Sequence, residues 1–382
     1  MNRTTVIENK LVQHDALTFD DILLLPNYTE VKRQDVDLTT KLHPSIILKL
    51  PIVSSPMDTV TEADMAIALA RAGGLGCIHR NLSVLAQADM VRAVKKAEVL
   101  STQTSAVDGH GKLLVSAAVG AGADLDERIL ALIQAGVDVL TVDSSHGYSK
   151  FILDIVVSIK KKYPNLVLMA GNVATFDGAR ALSEAGADSI RVGMGPGSIC
   201  TTRIVTGMGV PQLSAVASAV RALDSRGTTI IADGGIRQMG DMAKALAFGA
   251  HAIMLGSMLA GYEQSPGDIV ERGDKKWKIY RGMGSVSAMK KGGAERYGQS
   301  RDTEKKKLIA EGVEGLVAYK GDACNFFSQI EGSLKSSFYY LGAKDVETFF
   351  TTSRAIKIST AGLIESHPHE IAITDAGGNY NT

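Results

Sequence analysis

The sequence predicts an α/β fold, a (β/α)8 TIM barrel with a long flap inserted after the eighth strand. Three observations carry this. Eight short, nearly continuous apolar runs recur along the chain. Stretches of helical length with one apolar face lie between them. Six of the eight runs end in Gly, Ser or Asn, residues a barrel gathers at its catalytic mouth.

The runs occupy residues 51–55 (PIVSS), 74–79 (GLGCIH), 113–119 (LLVSAAV), 137–144 (VDVLTVDS), 166–172 (LVLMAGN), 189–195 (SIRVGMG), 228–234 (TTIIADG) and 251–257 (HAIMLGS). Their lack of polar alternation suits parallel strands buried on both faces. TEADMAIALARAGG is typical of the intervening stretches. Thr61 is placed to cap, Glu62 and Asp64 suit the helix N-terminus, and Gly73 stops the helix. DERILALIQAG, DGARALSEAG and MGDMAKALAFG have the same form. Parallel strands need crossovers of this length. An open doubly wound sheet is the alternative, but it wants Gly-x-Gly-x-x-Gly after the first strand, and PIVSSPMDTVTE has none.

Two segments break the rhythm of this single catalytic domain, which spans residues 1–98 and 112–382. Residues 99–111 (VLSTQTSAVDGHG) are polar and turn-rich and read as a linker. Residues 273–325 delay the last helix, show little apolar periodicity, and fall on the βα side of a barrel. They read as a mobile flap over the site.

Composition narrows the function. The chain has 382 residues, 45% of them hydrophobic, with 41 basic against 41 acidic side chains. That balance leaves no basic field for nucleic acid and no polybasic stretch for a membrane. The run Lys305-Lys306-Lys307 follows Glu304 and reads as a solvated face. Three cysteines without a Cys-x-x-Cys pair argue against a disulfide framework and a structural zinc. No apolar run reaches the ~18 residues of a membrane span, and the N-terminal stretch lacks a signal-type core. The expectation is a cytoplasmic globular protein.

The chemistry gathers at the strand ends. SSPMD, DSSHG, GNVAT, GMGPGSICTT, ADGGIR and LGSM would converge on one mouth. Gly234, Gly235, Gly256 and Ser257 follow strands seven and eight, the usual phosphate cradle of such barrels. Each glycine alone reads as a turn; their joint placement favours phosphate. Cys200 admits three readings: core packing, metal ligand or nucleophile. Its place past a strand end, within Gly-Pro-Gly-Ser and beside Thr201 and Thr202, favours the nucleophile. Cys77, inside a strand, and Cys324, at the end of the insertion, read as structural.

Together GPGSICTTRIVTGMGVPQ, SSPMDTVTEADMAIALARAGG, VDSSHG, GNVAT, IADGGIR, LGSMLAG, YRGMGS, RYGQ and EGVEGLVAYKG make the chain resemble the inosine-5′-monophosphate (IMP) dehydrogenases over almost its whole length. The resemblance implies a barrel enzyme that oxidises IMP to XMP with NAD+, in guanine nucleotide synthesis. It implies that Cys200 attacks C2 of the hypoxanthine ring, that hydride leaves, and that a covalent thioimidate is then hydrolysed. Arg296 and Tyr297 match the flap pair that activates the water, and Thr202 and Glu311 match a second proton relay. A neutral arginine is chemically unexpected, so that role rests on the resemblance alone.

The resemblance gives the nucleotide site as Ser55, Met57, Gly195, Ser198, Asp233, Gly235, Gly256, Ser257, Tyr280, Gly282, Met283, Gly284 and Glu311, with Asp233 on the ribose hydroxyls. It puts Asp143, Ser144, Ser145, Asn172, Arg191, Gly193 and Gly195 on the NAD side. It implies a K+ site at Gly195, Gly197 and Cys200, completed across a homotetramer contact by Glu365, Ser366 and His367 of a neighbouring subunit. Most members insert a pair of regulatory nucleotide-binding modules where residues 99–111 stand, and about ten residues cannot hold a domain. Control by purine nucleotides through such modules is therefore expected to be absent. GMP reductase is the nearest alternative and would lack the Arg-Tyr pair; a non-catalytic nucleotide-binding protein is the other.

Overall fold

A closed barrel of eight parallel strands forms the centre of the computed structural model. The model describes residues 10, 15–223, 226–299, 304, 307–375 and 377; Lys305 and Lys306 lie outside the described residues. In chain order the elements begin with β1 (Ile22–Leu24), the hairpin β2 (Thr40–His43) and β3 (Ile46–Leu48), β4 (Ile52–Ser54), α1 (Ala63–Arg71), β5 (Leu75–Ile78) and α2 (Val84–Lys96). There follow β6 (Val115–Val119), α3 (Leu125–Ala135), β7 (Val139–Asp143), α4 (Lys150–Lys162), β8 (Val167–Val173), α5 (Phe176–Glu184) and β9 (Ser189–Val192). After them come α6 (Thr202–Thr206), α7 (Gln212–Leu223), β10 (Thr229–Asp233), α8 (Met239–Ala247) and β11 (Ala252–Leu255).

Strands β4 to β11 are the barrel, each inside one of the eight apolar runs except β8, which continues one residue past its run to Val173, and β11 closes in parallel on β4. Two cores result. One lies between strands and helices. The other fills the barrel, where Val53, Leu75, Cys77, Ala118, Val139, Met169, Ile231 and Met254 meet Leu42, Ile46 and Leu48 of the β2–β3 hairpin. That hairpin is the barrel floor. Its Leu42 carbonyl accepts hydrogen bonds from Ser189 Oγ at 3.3 Å and Thr229 Oγ1 at 3.0 Å. We expect Leu48→Ala, at a wholly buried position, to cost about 2–5 kcal/mol, read as a lowered midpoint in denaturant; a change under about 0.5 kcal/mol, the size of an ordinary surface substitution, would show that the hairpin is not part of the floor.

Helix starts follow local chemistry. Ser83, Ser149 and Thr175 cap α2, α4 and α5 by accepting from Ala86, Ile152 and Gly178 N–H. Thr61 does not cap α1. Glu62 is the cap residue, and the Thr61 hydroxyl instead bonds Ser54 Oγ at 2.8 Å and the Ser55 carbonyl at 2.7 Å. A hydroxyl so close to a buried loop serves the loop first.

Residues 99–111 do more than connect. Ser105 and Ala106 are buried, Ala106 N–H bonds the Ala70 carbonyl at 2.8 Å, and Leu114 N–H bonds the Ala106 carbonyl at 2.9 Å. The segment closes the barrel beside its floor.

The flap also departs from expectation. A three-stranded antiparallel sheet, β12 (Ile269–Arg272), β13 (Lys275–Arg281) and β14 (Glu314–Ala318), frames it, with α9 (Val286–Lys290) and a 3-10 turn (Gly293–Tyr297) between the last two strands. It starts four residues before the expected boundary. α10 (Ala323–Leu341) already includes Asn325, and α11 (Val346–Thr352), β15 (Ala355–Lys357) and α12 (Thr360–Glu365) follow. β13 has a two-residue period of inverted chemistry: Lys278 is buried and Ile279 exposed. The Lys278 ammonium donates to the carbonyls of Tyr262, Glu263 and Ser265. Cys324, expected to be structural, is exposed in the first turn of α10.

Candidate active site

The strand ends of β4 and β7–β11 open into one cleft, closed on one side by the flap. Its lining includes Ser55, Met57, Ser198, Asp233, Gly235, Gly256, Ser257, Tyr280, Gly282, Met283 and Glu311, all expected at the nucleotide. It also includes Cys200, Thr202, Arg296 and Tyr297, and, from the NAD side, Ser145, Asn172, Arg191, Gly193 and Gly195. Gly284 is not in the lining. It lies behind Tyr297, whose ring carbon Cζ would be 2.7 Å from a Cβ at that position.

The end expected to take the phosphate is built from backbone. Gly234 and Gly235 have φ of +93° and +80°, which admits the close turn after β10. A Cβ on Gly256 would sit 3.3 Å from Tyr280 Oη and 3.4 Å from Met57 Sδ, so only glycine leaves the opening clear. Burial pushes the Tyr280 phenol up to about 12, while its contacts with Ser198 and Ser257 oppose the shift; it remains a neutral hydrogen-bond donor.

At the other end is Cys200, half-buried. Its thiol donates to Thr202 Oγ1 at 3.2 Å, and that hydroxyl donates to Glu311 Oε2 at 2.8 Å. Thiol, hydroxyl and carboxylate form a directed proton path. Arg203 braces the loop behind them: its guanidinium reaches the Met194 carbonyl at 3.1 Å and the Val210 carbonyl at 2.6 Å. Cys77 is different. It is wholly buried among Ser116 and Thr141 inside the barrel, and burial raises its thiol pKa.

Between these ends lies an ion-pair network that the sequence did not foretell. Arg191 is 1% exposed. It pairs with Asp143 at 2.5 Å and with Asp233 at 2.8 Å. Asn172 Nδ2 donates to the same Asp233 carboxylate at 2.7 Å. Asp143 also pairs with Arg296 of the flap, and Ser145 donates from its N–H and its hydroxyl to the Arg296 carbonyl at 3.2 and 2.8 Å. Burial would push the Asp143 carboxyl up. The Arg296 and Arg191 guanidiniums outweigh it and hold the group well below the usual carboxylate range. Burial would likewise lower the Arg296 pKa, but Asp143 beside it holds the guanidinium firmly protonated.

Asp143 and Ser144, expected to face the nicotinamide, are therefore not part of the cleft lining in this flap-docked state. Their place is behind it, because Asp143 serves two arginines. Arg191 reaches the cleft but spends its donors on two aspartates.

Glu365 and Ser366 end α12, exposed and on a different part of the chain from the Cys200 loop. Among the described residues no group of three or more His, Cys, Asp or Glu is placed to hold a metal ion, and no helix is long and apolar enough to cross a membrane. Cleft residues that sequence reasoning did not single out include Met194, Ile236 and Arg237. Their signal was adjacency to chosen glycines, since each neighbours a strand-end loop.

The comparisons with known proteins agree with this geometry. The family model "IMP dehydrogenase / GMP reductase domain" matches residues 16–369. An inosine-5′-monophosphate dehydrogenase of Halalkalibacterium halodurans is 38% identical, over 98% of this chain and 99% of its own length. One from Escherichia coli (strain K12) is 40% identical over 97% and 99%, and one from Streptococcus pyogenes is 38% identical over 95% and 97%. The first alignment runs to 485 positions against 382 residues here, so that relative carries sequence that this chain lacks. The chain belongs to the IMP dehydrogenase / GMP reductase domain family.

Proposed function

We propose that the chain oxidises IMP to XMP with NAD+ through a covalent adduct on Cys200, and that the flap then enters to allow hydrolysis. The observation that carries this is the docked flap, which engages residues that the family pattern assigns to the dinucleotide. Asp143 and Ser145, which the family pattern gives to the NAD side, are held by Arg296. Flap and dinucleotide compete for one set of groups, so they take turns.

The residues divide the work. Glu311 draws the thiol proton through Thr202, and the Cys200 thiolate attacks C2 of the purine, forming a C–S bond. The amides after β10 and β11 hold the phosphate, and Asp233, fixed by Arg191 and Asn172, accepts from the ribose hydroxyls. A bound nicotinamide supplies the hydride acceptor. Loss of hydride from C2 leaves the thioimidate. Arg296 and Tyr297 then close over it and exclude bulk water. One water adds to C2, the C–S bond breaks, and the sulfur recovers a proton as XMP leaves. With Asp143 beside it Arg296 stays a cation, so it orients and stabilises the attacking water. Glu311, having released the thiol's proton to solvent, is through Thr202 the better acceptor of the water's proton.

A monovalent cation, K+, would be held by the carbonyls of Gly195, Gly197 and Cys200, which are hard oxygen donors on one loop. Glu365, Ser366 and His367 of a partner subunit would complete its shell in a homotetramer.

Adding IMP and NAD+ and following NADH absorbance tests the activity. NADH formation is expected; oxidation of NADPH with GMP, and none with IMP, would select a reductase instead. With only a short turn-rich segment at residues 99–111, ATP and GTP should leave the IMP saturation curve where it is. A clear shift with ATP would contradict that.

A further inference from the structure

The stretch His79-Arg80-Asn81, just past β5, takes no part in the scheme above, yet two of its side chains reach the flap. Arg80 Nη1 donates to Glu295 Oε2 at 3.2 Å, an ion pair between residues 215 positions apart. The Arg80 side chain is 9% exposed. The space it fills exists because Gly120 and Gly122 have no side chains. A Cβ on Gly120 would lie 2.4 Å from Arg80 Cζ, and one on Gly122 would lie 2.5 Å from Glu295 Oε2. Asn81 Nδ2 donates to Asp58 Oδ2 at 3.0 Å and to the Ala288 carbonyl, on the flap helix α9, at 3.3 Å. Its N–H donates to His79 Nδ1, and His79 Nε2 meets Glu62 at 3.1 Å, which fixes the dipeptide from below. Gly292 of the flap lies against Asn81, where a Cβ would be 3.0 Å from Oδ1. Arg80 Nη2 and Asn81 Oδ1 are buried without a hydrogen-bond partner.

We propose that Arg80, assisted by Asn81, is a positioning residue for hydrolysis: it docks the flap through Glu295, so that the adjoining Arg296 and Tyr297 enter the cleft. Glu295 directly precedes Arg296, so a fixed Glu295 sets where the next two side chains fall. A charge-assisted bond to a buried guanidinium is among the stronger single contacts a surface turn can make. It forms only when the flap is in, and so acts on one half of the reaction. Hydride transfer takes place with the flap out and does not need it. This rests on the proposal that the flap assists hydrolysis.

Pre-steady-state NADH formation from IMP and NAD+ tests it, on the full-length protein. Arg80→Ala should keep a burst near one NADH per site, then turn over about tenfold more slowly than wild type. The acid-trapped fraction of enzyme carrying labelled nucleotide should rise. Arg80→Lys should keep most of the rate, and Arg80→Glu combined with Glu295→Arg should exceed either single reversal at least threefold. Glu295→Gln, on the flap surface, gives the same test should Arg80→Ala fail to fold. Equal loss of burst and steady state, or a steady state within twofold of wild type, would overturn the proposal. Absence of NADH from the wild type itself would overturn the activity reading and this one with it, whereas a full wild-type burst with either outcome above overturns this one alone.

Discussion

Replacing Cys200 with alanine should reduce NADH formation by at least a thousandfold, while IMP binding stays within about threefold of wild type. The expectation follows from where the thiol sits. It is half-buried at the cleft, hydrogen-bonded to Thr202, and two hydrogen bonds from the Glu311 carboxylate. Neither other cysteine can replace it. Cys77 is sealed inside the barrel, and Cys324 is exposed on α10, outside the cleft lining. Alanine removes one sulfur and leaves the phosphate amides and Asp233 untouched, so binding survives. Isothermal titration with IMP and single-turnover absorbance with NAD+ check both halves. Residual turnover within tenfold of wild type would remove the nucleophile from the account.

The second large effect is a split between the half-reactions. Arg296→Ala should give a burst of NADH near one per site, followed by turnover at least a hundredfold slower. Arg296 is the flap's main anchor: its side chain pairs with Asp143, and its carbonyl accepts two bonds from Ser145. The alanine variant keeps the carbonyl contacts and loses the ion pair. In the proposed scheme it also removes the cation that closes over the adduct, whereas hydride transfer there needs only the flap-out state. The anchor should not titrate in ordinary assays. A carboxyl held below its ordinary pKa contributes stability that is present above the unfolded value and lost only as pH falls through the folded one. Between pH 6 and 9 Asp143 stays charged, so pH effects on hydrolysis over that range come from other groups. Stopped-flow absorbance on the variant decides the matter. Equal loss of burst and steady state would place Arg296 in hydride transfer.

Much of this was legible in the sequence, and the reason is physical. Parallel strands buried on both faces write continuous apolar runs, and each barrel strand coincides with a run read from the chain, β8 alone extending one residue past its run, to Val173. Glycine-rich strand ends stand out for a similar reason, because close approach of backbone to ligand excludes side chains, and Gly234, Gly235, Gly256 and Ser257 do line the cleft. What stayed hidden obeys other rules. The barrel floor is a hairpin of seven strand residues, too short to carry a pattern. The flap sheet buries Lys278 and exposes Ile279, reversing the chemistry on which periodicity depends. Thr61 looks like a cap and serves a loop. Asp143 and Arg191 look like ligand contacts, and the structure spends their charges on each other, on Asp233 and on the flap. A one-dimensional pattern finds polar residues at strand ends but cannot say which will pair.

The central claim is that one thiol carries the substrate between two chemical steps separated by flap entry. Mass spectrometry of the Arg296→Ala variant, quenched in acid during turnover with IMP and NAD+, tests it most directly. The account predicts a purine-nucleotide adduct on the peptide bearing Cys200, in a one-to-one ratio with NADH released, and no adduct on Cys77 or Cys324. NADH at full stoichiometry with an unmodified Cys200 would contradict it.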